Sequence, residues 1–217
     1  EPRLKRKSTV IVEQPSFKTV LNTLWRQRTF RHIVTAFCVS YFFGMGVFIW
    51  MPTFFIRSHG LETGELGIWL ALTFGGGALF GTYLGGMLAS RYASGREAIQ
   101  LKAVAVAFVL GGLLSVMVYL SPNKYHALAY MAISAIIGTL GTAPIFSAIQ
   151  SLVNDRMRSV ALAIIFLVSN LIGFGLGPLA VGVLSDLLVP TFGQESLRYA
   201  LTLFSPGYLW VAYYYWK

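Results

Sequence analysis

Six long stretches without a charged side chain constrain the fold of this chain more than any other feature of its sequence. Each stretch has about the 20 residues that an α-helix needs to cross the hydrocarbon core of a bilayer. Transmembrane strands would be shorter and would alternate polar with apolar residues, a pattern that these stretches lack. We therefore predict an all-α membrane protein with six transmembrane helices. The predicted spans are residues 33–55, 66–90, 103–121, 127–154, 159–185 and 199–216.

The basic residues are distributed unevenly among the connections between these spans. The 17 Lys and Arg exceed the 8 Asp and Glu, an excess that would also suit a nucleic-acid-binding protein. However, only Arg57, Lys124 and Arg198 fall on one set of connections, and all the others fall on the opposite set. Since Lys and Arg are retained in cytoplasmic loops, we predict that both ends of the chain are cytoplasmic, in a plasma or bacterial inner membrane, and that nucleic acid is not a partner.

Residues 1–31 are polar and precede the first predicted span. The chain begins with Glu1 and Pro2, without an initiator Met. We interpret the chain as a fragment of a longer polypeptide, in which residues 1–31 are a cytoplasmic linker and residues 32–217 are the transmembrane domain.

Two spans resemble each other and indicate an internal repeat. Residues 81–90 of the second span and 177–186 of the fifth share two glycines and a leucine at an offset of 96. Because the two spans are three places apart in the order of the six, they cross the membrane in opposite directions. Inverted three-helix repeats are typical of secondary transporters, in which the repeats rock around a site near the midplane. We therefore predict that the six helices form two inverted three-helix repeats.

Glycines in the two related spans are spaced for helix contact. Gly77, Gly81 and Gly85 recur every fourth residue, which allows a neighbouring backbone to approach closely in lipid. The fifth span is denser in glycine and contains Pro178, a composition that favours a bend or a moving contact.

The end of the second span resembles a family signature. Gly85 and Gly86 are followed by Arg91 and Arg96, as in the cytoplasmic latch between the second and third helices of each half of a major facilitator superfamily transporter. Ser90 stands at the usual acidic position, so the latch would lack its local carboxylate. The resemblance covers essentially the whole chain and implies the C-terminal half of a twelve-helix fold, with an N-terminal six-helix half as its partner.

Residues 150–188 resemble the Spinster-like members of this superfamily, chiefly in 158–163, 170–173 and 175–178. This resemblance implies transport of lysophospholipids or sphingoid-type lipids by alternating access, often linked to protons. It also implies that the first and fourth spans line the substrate path and that the second and fifth spans contribute to its lining. The third and sixth spans would support the other four from outside the path.

Polar side chains within the spans are the candidates for substrate contact, because a polar group without a partner is costly in lipid. Asn170 is the strongest, since it lies well inside the fifth span, although a structural hydrogen bond to another helix is the open alternative. Interfacial anchoring is the alternative for the candidates of the first span. The predicted substrate-binding residues are Tyr41, Trp50, Thr53, Thr142, Ser147, Gln150 and Asn170.

A second group of residues suits gating or conformational change. Asp186 ends the fifth predicted span, so we interpret it as a gate or cap rather than as a proton carrier. No acidic residue lies deep in a span, and we expect the titratable carboxylate of any proton coupling in the missing half. The predicted gating residues are Gly85, Gly86, Arg91, Arg96, Arg57, Asp186, Gly177 and Pro178.

Enzymatic function is not indicated. His32, His59 and His126 lie far apart at span ends, without metal-ligand spacing, and the glycine-rich segments lack the strand-to-helix context of nucleotide-binding loops. We predict no catalytic residue, metal or cofactor. The favoured function is secondary transport of an amphiphilic small molecule, with membrane lipids as surroundings. An organic-anion or sugar-phosphate carrier and a non-transporting scaffold subunit remain the alternatives.

Overall fold

The computed structural model describes residues 25–92, 95–153 and 157–217, and every regular element within these ranges is a helix. Most of the predicted linker, residues 1–24, lies outside the described residues. So do Asn154, at the end of the fourth predicted span, and the basic residue Arg156.

Within the described residues, five helical runs are long and apolar enough to cross a membrane. The last run contains 59 residues and would be about 90 Å long if straight, about three times the thickness of the hydrocarbon core. The runs are α1 Arg28–His59, α2 Thr63–Tyr92, α3 Glu97–Leu120, α4 Lys124–Ser151 and Arg158–Trp216.

The last run folds back on itself and so provides two crossings. Gly193 has a φ of 55°, a left-handed conformation that glycine adopts without strain, and a short 3₁₀ turn, Gly193–Glu195, reverses the chain. Ser196–Phe204 therefore packs against Gly177–Phe192. We call residues 158–192 α5 and residues 196–216 α6. The prediction of an all-α fold with six membrane crossings is confirmed.

Helices α2 and α5 share an interruption that α1 and α3 lack. Each contains one π-helical turn, at Ala71–Gly76 and at Leu171–Leu176. Each turn contains two glycines. Because glycine has a low α-helix propensity, it lowers the cost of replacing an α-helical turn by a π-helical one. The interruptions lie in the two helices that the sequence pairs as repeats.

The packing of the helices follows the inverted repeat. Helix α1 packs against α5 as α4 packs against α2, and α6 packs against α1 as α3 packs against α4; α3 and α6 pack against each other. Exchanging the first three helices with the last three leaves these pairs unchanged. The predicted repeat is confirmed in the contacts between helices.

Equivalent glycines of the two repeats occupy close contacts between helix backbones. A Cβ atom at Gly81 would collide with the carbonyl oxygen of Ile136 in α4, and one at Gly177 would collide with that of Phe42 in α1. Gly85 meets the Leu140 carbonyl oxygen in the same way. Since lipid provides no hydrophobic drive for helix association, close backbone contact is a main source of adhesion here.

The outer surface of the bundle is apolar. The side chains of Leu79, Leu171 and Leu187 are 75%, 73% and 71% exposed, whereas Ile149 and Ile165 are fully buried. Large leucines exposed along whole helices suit contact with lipid or with another transmembrane domain rather than with water. The exposed faces therefore agree with an integral membrane protein.

Candidate substrate site

A cavity of about 430 Å³ lies among residues of α1, α2, α3, α4 and α6. Its volume is in the range of small-molecule sites. The side of α1 is formed by residues from Gly44 to Met51, and the side of α4 by residues from Met131 to Thr139. The cavity therefore borders the two helices that the family resemblance assigns to the transport path.

Three glycines keep this cavity open. Gly44, Gly111 and Gly138 belong to three different helices and all line it. A Cβ atom at any of them would meet no other atom within 4 Å. These glycines are therefore not required for helix contact, in contrast to Gly81 and Gly177. Their small size instead leaves room for an occupant.

The cavity wall is almost entirely apolar, and none of the described residues that line it is charged. Its polar groups are hydroxyls. Ser115 donates to the Gly111 carbonyl oxygen at 2.8 Å, and Thr139 donates to that of Ala135 at 3.0 Å. Because these two donors are used within their own helices and the described lining residues carry no charge, the wall suits an alkyl chain better than an anion. The buried Tyr119 hydroxyl also lines the cavity and has no hydrogen-bond partner among the described residues.

An aromatic pair stands at the edge of the cavity. The rings of Phe48 in α1 and Phe74 in the π-helical turn of α2 lie 5.0 Å apart, edge to face. Phe48 is 46% exposed, so this edge of the cavity reaches the surface of the bundle. A shift of the π-helical turn relative to α1 would change the width of the opening.

The contact between α1 and α5 brings predicted substrate and gating residues together. The indole Nε1 of Trp50 donates to the Pro178 carbonyl oxygen at 2.8 Å, and the Trp50 ring lies against Gly182. About two and a half turns away, the backbone of Tyr41 lies against Gly173. The hydrogen bond from Trp50 joins residues 128 positions apart, and sequence reasoning did not pair them.

The other predicted substrate residues are dispersed. Thr53 and Thr142 are half-buried, whereas Ser147 and Gln150 are exposed on α4. Asn170 donates from Nδ2 to the Phe166 carbonyl oxygen at 2.7 Å, within its own helix and just before the π-helical turn. None of the seven predicted residues lines the cavity described above. Their role in substrate contact stays a prediction.

The predicted latch residues lie at one end of the bundle. A Cβ atom added at Gly86 would lie 3.8 Å from the Cβ of Ala143. This contact is looser than the one at Gly85. Arg91 is exposed and lies over the ring of Tyr92, 5.7 Å from its centre. Arg96 is exposed immediately before α3. Neither arginine has an ion-pair partner in the described part of the chain.

The two predicted gating residues near the other end are both exposed. Arg57 lies in the last turn of α1. Asp186 lies within α5 rather than at its end, because the helix continues to Phe192. The difference arises because one exposed carboxylate does not terminate a helix whose next residues are apolar.

Two ion pairs lie at the end of the bundle where α1 ends and α4 begins. Lys124 at the start of α4 pairs with Glu65 at the start of α2, at 3.2 Å. Arg198 pairs with Glu195 at 2.8 Å and donates to the carbonyl oxygen of Ser58 at 3.3 Å, which connects α6 to α1. Sequence reasoning missed both connections, although opposite charges beside neighbouring span ends were a signal for them.

Comparison with known proteins agrees with this architecture. The sequence model of the Major Facilitator Superfamily matches residues 1–178. An MFS-type efflux pump of Mycolicibacterium smegmatis (strain ATCC 700084 / mc(2)155) is 34% identical over 161 residues, which cover 74% of this chain and 37% of the pump.

Two solved structures are similar in fold, both of a bacterial homolog to the human lysosomal transporter Spinster. The inward-facing, unoccupied form matches with a TM-score of 0.86 and 20% identity, over 98% of this chain and 52% of that chain. The inward-facing, occupied form matches with a TM-score of 0.78 and 21% identity, over 89% and 49%.

The chain thus spans 37% of the length of its curated relative and about half of the solved transporters. The family model covers most of the sequence, and the six crossings and the inverted repeat account for the structural match. This chain is a multi-pass membrane protein that belongs to the major facilitator superfamily.

Proposed function

We propose that the protein is a secondary transporter of single-chain lipids, such as lysophospholipids or sphingoid-type lipids, and that it works by alternating access. The uncharged cavity between α1 and α4 is the observation that carries this proposal. The apolar wall of this cavity would hold the alkyl chain of the substrate. The polar headgroup would stay in the transport path between the two halves of the transporter. The likeness to Spinster homologs adds support.

The composition of the cavity argues against a carrier of small organic anions. Such a carrier would need cationic side chains to replace the water around the anion. The described lining residues include none. An apolar chain, by contrast, gains about 0.8 kcal/mol for each methylene removed from water.

During alternating access, the close glycine contacts would keep the helices of this half together. An N-terminal six-helix half would pack against the exposed faces of this bundle, and the two would rock around the substrate. Contacts through Gly81 and Gly177 would hold the two repeats of this half together as one unit, and the hydrogen bond from Trp50 to Pro178 would fix α1 on α5. The headgroup of the substrate would contact Ser147, Gln150 and Asn170.

The proposed gating residues would contact the partner half in one of the two end states of the transport cycle. These residues are Arg57, Arg91, Arg96 and Asp186.

The proposed orientation has both ends of the chain in the cytoplasm. The ion-paired end that contains Lys124 and Arg198 would then face outward. Proton coupling would depend on a carboxylate in the N-terminal half, because the acidic side chains that the structure describes lie near the ends of the bundle or on its exposed surface.

The test is transport by the full-length protein in proteoliposomes. A long-chain lysophosphatidylcholine should be taken up, faster with a pH gradient than without one, and its short-chain analogue should be taken up poorly. Gly138→Leu should fill the cavity and displace about two methylenes, so uptake of the long-chain lipid should fall roughly tenfold.

Gly67→Leu is the matched control, because Gly67 also has open space around it but does not line the cavity. It should leave uptake unchanged. Transport of small anions without lipid, or equal uptake by the two leucine variants, would refute the proposed substrate. Absence of any substrate-dependent movement would favour a scaffold.

A further inference from the structure

A second pocket, of about 670 Å³, lies at the end of the bundle where α1 begins and α6 ends. It is remote from the cavity proposed for the substrate and shares no lining residue with it. The pocket is formed by the first turns of α1 and α3, the last turn of α6 and the end of α4. Its charged lining residues are Arg28, Lys102, Lys217 and Glu97, and His32 lies beside them.

The two cations that come from helix ends are not neutralised. Neither Arg28 nor Lys102 has a carboxylate within 4 Å in the described ranges, although Glu97 borders the same pocket. Arg28 is exposed at the start of α1 and Lys102 near the start of α3. Two unpaired cations that line one pocket can donate hydrogen bonds to the oxygens of a phosphate group.

Aromatic rings line the same pocket. The Lys102 ammonium lies 5.3 Å from the ring centre of Trp216, and the His32 and Tyr214 rings are 6.2 Å apart. Trp and Tyr prefer the level of the lipid headgroups, where a ring can be half apolar and half wet. The position of the pocket is therefore the headgroup region of one leaflet.

The floor of the pocket is apolar. Ile33 is buried, and Leu101 and Leu152 are half-buried beneath the charged rim. A free anion would gain nothing from this surface, whereas the glycerol and first methylenes of a lipid would cover it. The combination of rim and floor distinguishes a lipid from a soluble phosphate.

We propose that this pocket binds the phosphodiester headgroup of an anionic glycerophospholipid from the surrounding membrane. Arg28 and Lys102 hold the phosphate, Trp216 and Tyr214 flank the glycerol, and Ile33 and Leu101 contact the start of an acyl chain. Because α1, α3 and α6 all contribute, a bound lipid joins the two repeats at this end.

The test uses the full-length protein in phosphatidylcholine nanodiscs with increasing phosphatidylglycerol, and native mass spectrometry to count retained lipids. The wild type should retain phosphatidylglycerol in preference to phosphatidylcholine. Arg28→Gln combined with Lys102→Gln should weaken this preference roughly thirtyfold, since each cation near a membrane surface contributes about a fivefold factor. Arg28→Lys combined with Lys102→Arg should retain it.

The matched control is Arg26→Gln combined with Arg31→Gln, which removes the same charge from neighbouring exposed positions outside the pocket. This variant should bind phosphatidylglycerol as the wild type does. Thermal unfolding in phosphatidylcholine alone separates misfolding from lost binding. Equal losses in the two glutamine variants would overturn the proposal, and so would displacement of the lipid by millimolar inorganic phosphate.

Discussion

Replacing Gly177 with alanine tests whether backbone contact holds the repeats together. The added Cβ would collide with the Phe42 carbonyl oxygen and lie 2.9 Å from the Gly46 nitrogen. Both are backbone atoms that cannot rotate away, so α5 must move from α1 by several tenths of an ångström to an ångström. Overpacking of this kind costs about 1–3 kcal/mol, and the immobile backbone on both sides favours the upper half of that range.

The assay is thermal unfolding of the purified protein in detergent, followed by size-exclusion chromatography. At roughly 2–4 °C per kcal/mol for a chain of this size, Gly177→Ala should lower the Tm by about 4–10 °C. Gly175→Ala is the matched control, because its Cβ would meet no atom within 4 Å, and its Tm should be unchanged or slightly raised. If the two variants melt together, the contact does not hold α1 on α5 and the reasoning fails.

Three further perturbations probe individual contacts. Trp50→Phe removes the hydrogen bond to Pro178 and should cost about 1 kcal/mol; an unchanged Tm would contradict this. Glu65→Gln breaks an ion pair whose side chains are 39% and 32% exposed, so the loss should stay below about 1 kcal/mol, and a large fall in Tm would show that the pair is far stronger than its exposure indicates. Asn170→Ala should change the Tm little, because the amide bonds within its own helix, yet it should slow lipid uptake if the headgroup lies there, and unchanged uptake would exclude that contact.

The membrane fold was predictable because its main determinants are local. Absence of charge over a span length marks a crossing, and the offset between Gly81 and Gly177 marks the repeat; both glycines meet equivalent carbonyl oxygens in the structure. The end of α5 was predicted too early. Charge was used to delimit the spans, but the exposed Asp186 is followed by apolar residues that continue the helix to Phe192.

The cavity was not predictable, because glycine has two opposite uses in this bundle. Gly44 and Gly138 leave open space, whereas Gly77 and Gly85 fill a contact, and nothing in the local sequence separates the two kinds. The search for polar side chains also pointed elsewhere, since the wall is apolar. Only the packing of α1, α3 and α4 decides which glycines face a neighbour and which face a void.

Accessibility of single cysteines measures the topology on which the whole account depends. Cys38 is the only cysteine among these 217 residues and is buried. Cys38→Ala, together with replacement of any cysteine of the N-terminal half, provides a background for Arg96→Cys and for Lys124→Cys. In intact cells, a membrane-impermeant maleimide should label the cysteine at position 124 and should reach the one at position 96 only after permeabilisation. Labelling of both positions from the same side would contradict a chain that crosses the membrane between them.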